Sequence, residues 1–477
     1  MKKNKQPLSN LFLKTTALRM HSLHRLGSQV MVALLISGLS SCVQEDKLNP
    51  SETVANISDA SARQENASTS INILLKTPVT DAILADLGKY GKVRDVLKEI
   101  NVVILNASGS TLPAIQKLSY VQVANPDAER KGTPIDAVPV SDFSGGLNTW
   151  NLDAVNVTDL GKGRVIEADA TGVFIGVLDT GLLDSWRQYF PQERIASQYA
   201  KSFGGGGQDN GNVSDQPNKW EHDQDSHGTH VTSTIIGYNL NGTYINGVAP
   251  KATIIPVKVL NQTGSGWSSV IARGILYIAQ LKEGPLKNAP VVINMSLGGG
   301  VLDAVEKAAI DYAIGKGVII VASAGNSGAA GMGYPGAYAP VISVASAGWK
   351  SQGATPNWWY GLNVPDPTNP DDFFISGFSS IAKTGQDMDV TAPGNSVVGP
   401  YQLNSGKTSY YFLSGTSMAS PHVAGIVALM AQKNPALTAA QAEATLEGAA
   451  LDMAPAGVDN ASGHGFITAD AALSALQ

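Results

Sequence analysis

From about residue 172 onward the chain alternates short, almost wholly apolar runs with longer stretches of amphipathic spacing. The apolar runs fall at 173–178, 253–260, 291–295 and 318–322. Helical patterns start near His227 and then cover 268–282, 301–316 and 417–432. A strand without a polar face must be covered on both sides, which happens when parallel strands are joined by helices. This constrains the fold class to α/β, with a doubly wound, mostly parallel sheet. Ligands of such sheets bind beyond the carboxyl ends of the strands.

Three motifs sit at those ends. Val177-Leu178-Asp179-Thr180-Gly181 places an acid where a buried strand stops. Asp225-Ser226-His227-Gly228-Thr229-His230 places an imidazole at a helix start, and Gly415-Thr416-Ser417-Met418-Ala419-Ser420-Pro421-His422 places a hydroxyl at another. Taken singly, each reads as a turn, a packing histidine or an N-cap serine. Taken together they supply what acyl transfer needs: a serine is a poor nucleophile without a base in reach, and the base needs a buried acid to hold its tautomer. The order Asp, His, Ser and the flanking residues resemble the subtilisin-like serine peptidases over residues 145–477. A Gly-x-Ser-x-Gly elbow is absent, since Ala419 fills the last place.

The resemblance implies roles residue by residue. Asp179 is the triad acid, His227 the general base and Ser417 the nucleophile; His230 and His422 belong to the motifs without being catalytic. Asn326, in Val321-Ala322-Ser323-Ala324-Gly325-Asn326, is the side-chain donor to the oxyanion, joined by the backbone N–H of Ser417 at a helix start. Gly264-Ser265-Gly266 and Ser296-Leu297-Gly298-Gly299 are the two edges between which an extended polypeptide substrate pairs through its backbone. The chemistry requires no cofactor. Many relatives hold calcium in a loop after the His-bearing helix; Asn239 to Ile245 occupies that place, with Asn241 as its candidate ligand, so structural calcium stays open.

Ahead of this domain, residues 71–126 read as β-α-β-β-α-β, a small ferredoxin-like α+β arrangement. Before a subtilisin-like domain it resembles the family's inhibitory propeptide, which assists folding, blocks the cleft and is cut off. Residues 127–149 are rich in Pro, Gly, Ser and Asp and read as an exposed processing linker; Trp150-Asn151-Leu152-Asp153 resembles the start of the catalytic domain, 150–477. Within that domain, 351–376 carries Trp358, Trp359 and several prolines and is longer than its counterpart in the relatives, as surface decoration, an edge of the cleft or a partner-binding segment.

The N-terminus reads as an address. Residues 1–41 hold six Lys or Arg, all within 1–25, and no Asp or Glu; the basic stretch is followed by a mostly apolar run of about 14 residues from Leu26 to Leu39 that is short for a bilayer span. Leu39-Ser40-Ser41-Cys42 resembles the lipobox of bacterial lipoproteins, and Cys42 is the only cysteine. The expectation is a lipoprotein signal peptide over 1–41, a lipid on Cys42 that anchors the chain to a membrane, and a flexible tether over 42–70. This implies an exported envelope protein, on the outer membrane or cell surface. Cutting the linker leaves the lipid with the propeptide and releases the catalytic domain unless it stays bound. Setting aside those six cations, the net charge of −6 becomes −12, which argues against nucleic acid as a partner. The expected partners are polypeptide substrates, the chain's own propeptide and a membrane. The rival reading is a catalytically silent surface binding protein on a peptidase fold; it predicts a missing triad residue, and none is missing.

Overall fold

The structure, a computed structural model, describes residues 68–139, 148–160, 162–203, 218–403, 406 and 408–476. The expected signal segment, Cys42 and the tether up to residue 67 lie outside the described residues, as does 140–147 of the linker.

Residues 68–126 form a small unit: β1 (Ser68–Leu75), α1 (Asp81–Leu87), β2 (Gly91–Leu97), β3 (Val102–Ser108), α2 (Leu112–Ile115) and β4 (Val121–Pro126). The strands pair antiparallel in the order β2-β3-β1-β4. The sheet begins at Ser68, so three residues expected in the tether belong to it. Thr80 caps α1, its hydroxyl accepting from Ile83 N at 3.3 Å. Side chains alternate across a strand, and β3 uses both faces. Val103 and Leu105 pack with Ile71, Ile73, Leu87 and Ile115 in the unit's own core. Val102 and Ile104, with Leu97 and Ile100, enter a second core that belongs to the large domain.

Two further strands carry the chain onward, β5 (Glu129–Lys131) and β6 (Asp136–Pro139). The large domain follows, with β7 (Phe174–Asp179), β8 (Lys201–Ser202), α3 (His227–Ile236), β9 (Thr253–Lys258), β10 (Ser265–Trp267), α4 (Ser268–Glu283), β11 (Val291–Met295), α5 (Ala304–Gly315), β12 (Val318–Ser323), β13 (Ile342–Trp349), β14 (Phe373–Ile375), β15 (Val390–Pro393), β16 (Val397–Gln402), β17 (Thr408–Ser414) and α6 (Thr416–Lys433). Its main sheet has eight strands, β8-β9-β7-β11-β12-β13-β14 with β15 beside β13. Every pair is parallel except β13–β14. The strands are apolar on both faces because both are covered: α3 and α6 pack on one, α4 and α5 on the other. From β7 the chain moves to β9 on one side and then to β11 on the other. The order therefore reverses at β7, and a crevice opens at its carboxyl end, where Asp179 stands.

The long segment 351–376 is neither a loose decoration nor a wall of the cleft. Trp358, Trp359 and Tyr360 are buried. Trp150 lies 6.3 Å from Trp349 and 6.1 Å from Trp358, centroid to centroid, and Val364 N donates to Asp153 at 2.7 Å. The segment thus straps down the first helix of the large domain (Trp150–Ala154).

Candidate active site

Asp179 ends β7 and His227 begins α3. For a helix start to come this close to a strand end, its second residue must lack a side chain: a Cβ on Gly228 would lie 2.4 Å from Gly181 O and 3.2 Å from Asp179 Cβ. Gly228 N and Asp223 are tied together by Thr180, whose hydroxyl accepts from the former at 2.9 Å and donates to the latter at 2.6 Å. The result is a buried pair, with His227 Nδ1 at 2.9 and 3.0 Å from the two Asp179 oxygens. The outer nitrogen, Nε2, is buried without a hydrogen-bond partner.

Ser417 lies in the first turn of α6. Pro421 sits four residues on and has no N–H, so the Ser417 carbonyl loses its helical donor. Ser296 replaces it, Oγ to Ser417 O at 2.8 Å, and is itself held by Asn294 Nδ2 at 3.0 Å. The Ser417 hydroxyl donates to Ser296 O at 3.2 Å, not to His227. The serine and the histidine are therefore not hydrogen-bonded to each other, and both lie near Ser296 O: Ser417 Oγ directly, and His227 across Gly132, whose Cβ would stand 2.9 Å from Ser296 O and 3.4 Å from His227 Cε1. The loop after β12 brings Asn326 to the same place. Its Oδ1 accepts from Thr416 N and Oγ1, both at 2.9 Å, which leaves the Nδ2 hydrogens facing away from that anchor. A Cβ on Gly415 would stand 3.5 Å from Asn326 Nδ2 and 3.6 Å from Ser417 N, so two donors converge beside a position kept bare. Thr133, Pro134, Asn326 and Ser417 line a common cavity of about 730 Å³.

Three buried histidines titrate differently. Burial pushes His230 down to about 3 and His422 down to about 4, so both stay neutral. His230 Nε2 rests on Val397 O, and His422 spans Met418 O and Asn151. Burial also works to lower His227, but the charge and hydrogen bond of Asp179, with Asp225 and Asp223 behind, outweigh it and raise the imidazole above its usual value. The motifs did not single out Asp223, Asp225 and Lys258. Burial raises Asp223 and lifts Asp225 to about 7, while it lowers Lys258, whose Nζ donates to Thr180 O at 2.5 Å. The two acids immediately before His227 were a legible signal; the lysine ending β9 was not, because only the fold carries it under the site.

Gly264, Ser265 and Gly266 face Ser296, Leu297, Gly298 and Gly299 across a cleft, and the chain's own β5 lies between them. Ser265–Trp267 pairs antiparallel with 129–131. On the other side Lys131 N donates to Gly298 O at 3.1 Å and Gly298 N to Lys131 O at 2.9 Å. Gly132 N donates to Gly264 O at 2.8 Å, and a Cβ on Gly132 would lie 2.9 Å from Ser296 O and 3.4 Å from His227 Cε1. Beyond Ser417, β6 pairs with β17. The expected linker is therefore not a loose stretch over 127–139: 129–132 is paired on both flanks and 136–139 on one, while Glu129, Lys131, Thr133, Ile135 and Asp136 stay exposed.

Asn241 forms the exposed tip of the hairpin made by Gly237–Leu240 and Thr243–Asn246, at φ 47°. It offers a cation an amide and backbone carbonyls. Among the described residues the one group of three carboxylates close enough to share a cation is Asp387, Asp389 and Glu443, elsewhere on the domain. Among the described residues no helix is long and apolar enough to cross a membrane.

Comparison with known proteins gives a consistent picture. A family model described as the Subtilase family matches residues 170–465. Subtilisin DY of Bacillus licheniformis is 37% identical over 254 residues, 52% of this chain and 78% of that protein. Subtilisin E of Bacillus subtilis (strain 168) is 37% identical over 232 residues, 48% of this chain and 51% of that one. Among solved structures, fervidolysin from Fervidobacterium pennivorans, described as a keratinolytic enzyme related to subtilisin, superposes with a TM-score of 0.64 at 25% identity. That superposition covers 86% of this chain and 61% of fervidolysin. Sphericase superposes with a TM-score of 0.53 at 28% identity over 68% of this chain and 99% of its own.

Proposed function

This chain belongs to the subtilase family, and from that premise we propose that it is a serine endopeptidase made as a precursor. The carrying observation is that its own segment 129–132 lies as an antiparallel strand between Ser265–Trp267 and Gly298, with Gly132 against His227 and Ser296. A polypeptide is thus already seated in the cleft in an extended conformation.

The chemistry follows from the atoms present. The Ser417 oxygen attacks the peptide carbonyl carbon, and His227 Nε2, free of other partners, takes the hydroxyl proton. Asp179 on Nδ1 holds that tautomer and stabilises the imidazolium. Negative charge forming on the carbonyl oxygen is met by Asn326 Nδ2 and Ser417 N. His227 then passes its proton to the departing amine, leaving an ester on Ser417, and water hydrolyses it by the same route in reverse. No cofactor enters.

In this reading residues 71–126 are an inhibitory propeptide, 127–149 is processed, and 150–477 is the mature enzyme. The helix Trp150–Ala154 is held by Asn151 on His422 and by the 364 strap, so its hold does not depend on the cleft segment. Residues 1–41 direct export and Cys42 carries the lipid, which puts the precursor on the cell envelope. N-terminal sequencing of the wild type beside Ser417→Ala tests this. The wild type is expected to yield a chain starting between 134 and 150 that digests unfolded casein, and the variant to remain uncut. An uncut wild type without hydrolytic activity would establish instead the silent binding protein. Metabolic labelling with palmitate, lost in Cys42→Ala, tests the anchor.

A further inference from the structure

The cleft strand makes one contact that backbone pairing does not explain. Arg130 and Glu306 are both completely buried. Arg130 Nε lies 3.1 and 3.2 Å from the two Glu306 oxygens, and Nη2 lies 2.5 Å from Oε2. Nη1 donates to Glu129 O at 2.9 Å and Nη2 to Val301 O at 3.0 Å. The guanidinium is therefore read as a planar fork, a geometry that an ammonium group cannot reproduce. Glu306 stands in the first turn of α5, a helix capped by Asp303 on Val305 N at 2.8 Å. Both acids belong to the large domain, and both remain when the front unit leaves. The Arg130 contact is then lost, and no second cation bonds Glu306 among the described residues. The burial of Glu306 belongs to the intact chain, where Arg130 covers it; an occupant that covers this carboxylate again without offering it a partner is disfavoured, whereas one that brings a guanidinium restores the pair.

Resting on the peptidase reading above, we propose that Glu306 is a specificity-determining residue that selects substrates with an arginine two residues ahead of the one seated against His227. The register is that of Arg130 relative to Gly132. The selecting group is a single carboxylate at the floor of the cleft, and Asp303 adds negative potential beside it.

The test uses the mature enzyme obtained from the full chain, with the fluorogenic peptides Arg-Lys-Gly-Thr-, citrulline-Lys-Gly-Thr-, Lys-Lys-Gly-Thr- and Ala-Lys-Gly-Thr-aminomethylcoumarin. Citrulline keeps the shape of arginine without its charge. The expected result is a kcat/KM for arginine about 100-fold above citrulline and alanine, with lysine between. In Glu306→Gln the arginine advantage is expected to fall to within about threefold. Equal rates for arginine and citrulline on the wild type would overturn the proposal, and that result needs no variant to fold. An arginine preference that survives in Glu306→Gln would overturn the assignment to this residue. If no peptide and no casein is cleaved by the processed wild type, the peptidase reading fails; cleavage of all four peptides alike refutes only the selectivity.

Discussion

The chain contains two sheets that cover their faces by different means. The eight-stranded sheet of the large domain has helices of its own on both sides. The four-stranded sheet of 68–126 has helices on one side only and lays Leu97, Ile100, Val102 and Ile104 against the large domain. At the edge of that apolar patch lie Asp95 with Arg273 and Glu99 with Gln280, and beside it a buried polar group in which Asn72 and Asn125 bond Asp303. An apolar centre with a polar edge is how separable partners meet. The difference teaches that the large domain carries a complete core, whereas the small unit is finished only by docking. The strand that leads from one to the other passes through the crevice where Ser417, His227 and Asn326 converge.

Several substitutions separate the two regions, and the largest effect comes from preventing their separation. Ser417→Ala is expected to lower peptide hydrolysis by about 10⁶-fold, the size known for this constellation in subtilisin. It should leave both sheets in one uncut chain, visible on a denaturing gel. Asn326→Ala removes one of two donors and should cost about 10²–10³ in kcat with little change in KM; processing of the precursor, read as the rate of appearance of the shorter chain, should slow in parallel.

The two faces of β3 then give a sharper contrast. Leu105→Ala opens the small unit's own core and should destabilise it by about 2–5 kcal/mol, measured by denaturation of the Ser417→Ala chain. Ile104→Ala, one residue away, faces the large domain. It should leave the small unit's own core intact and instead weaken its hold on the mature enzyme, read as a higher inhibition constant for the unit added in trans. If the two substitutions behave alike, the division of labour between the faces is wrong.

Acidity separates the regions more gently. In the proposed mechanism activity requires neutral His227, and Asp179 raises its pKa, so the acid limb of kcat/KM is expected above the ordinary 6.5. For stability the sign runs the other way. Burial raises Asp389 and Glu443 to about 7. A carboxyl whose folded value is raised contributes stability below its unfolded value, near 4, and that contribution is lost as pH rises through 7. The large domain should therefore lose stability between pH 4 and 7. Glu443→Gln, partly exposed, should recover less than about 1 kcal/mol of it, seen as a melting temperature less dependent on pH.

Much of this was legible in the linear chain because it rests on local chemistry. Runs apolar on both faces require cover on both sides, so the α/β class followed from 173–178, 253–260, 291–295 and 318–322 and the helical patterns between them. Asp179, His227, Asn326 and Ser417 were named as candidates because the runs around them, in type and order, resemble those of the subtilisin-like peptidases. What stayed illegible depended on residues distant in the chain meeting. Nothing local marks Arg130 or Glu306, 176 positions apart, as partners. Lys258 passed unremarked within the apolar run 253–260, and the segment holding Trp358 stayed open between surface decoration and an edge of the cleft. Burial decides the chemistry of such groups, and burial is a property of what packs over them. Spacing along the chain determined which functional groups exist and which elements hold them. Only the tertiary structure decided that the linker threads the crevice, because backbone pairing there needs two free edges that come into being once the sheet has assembled.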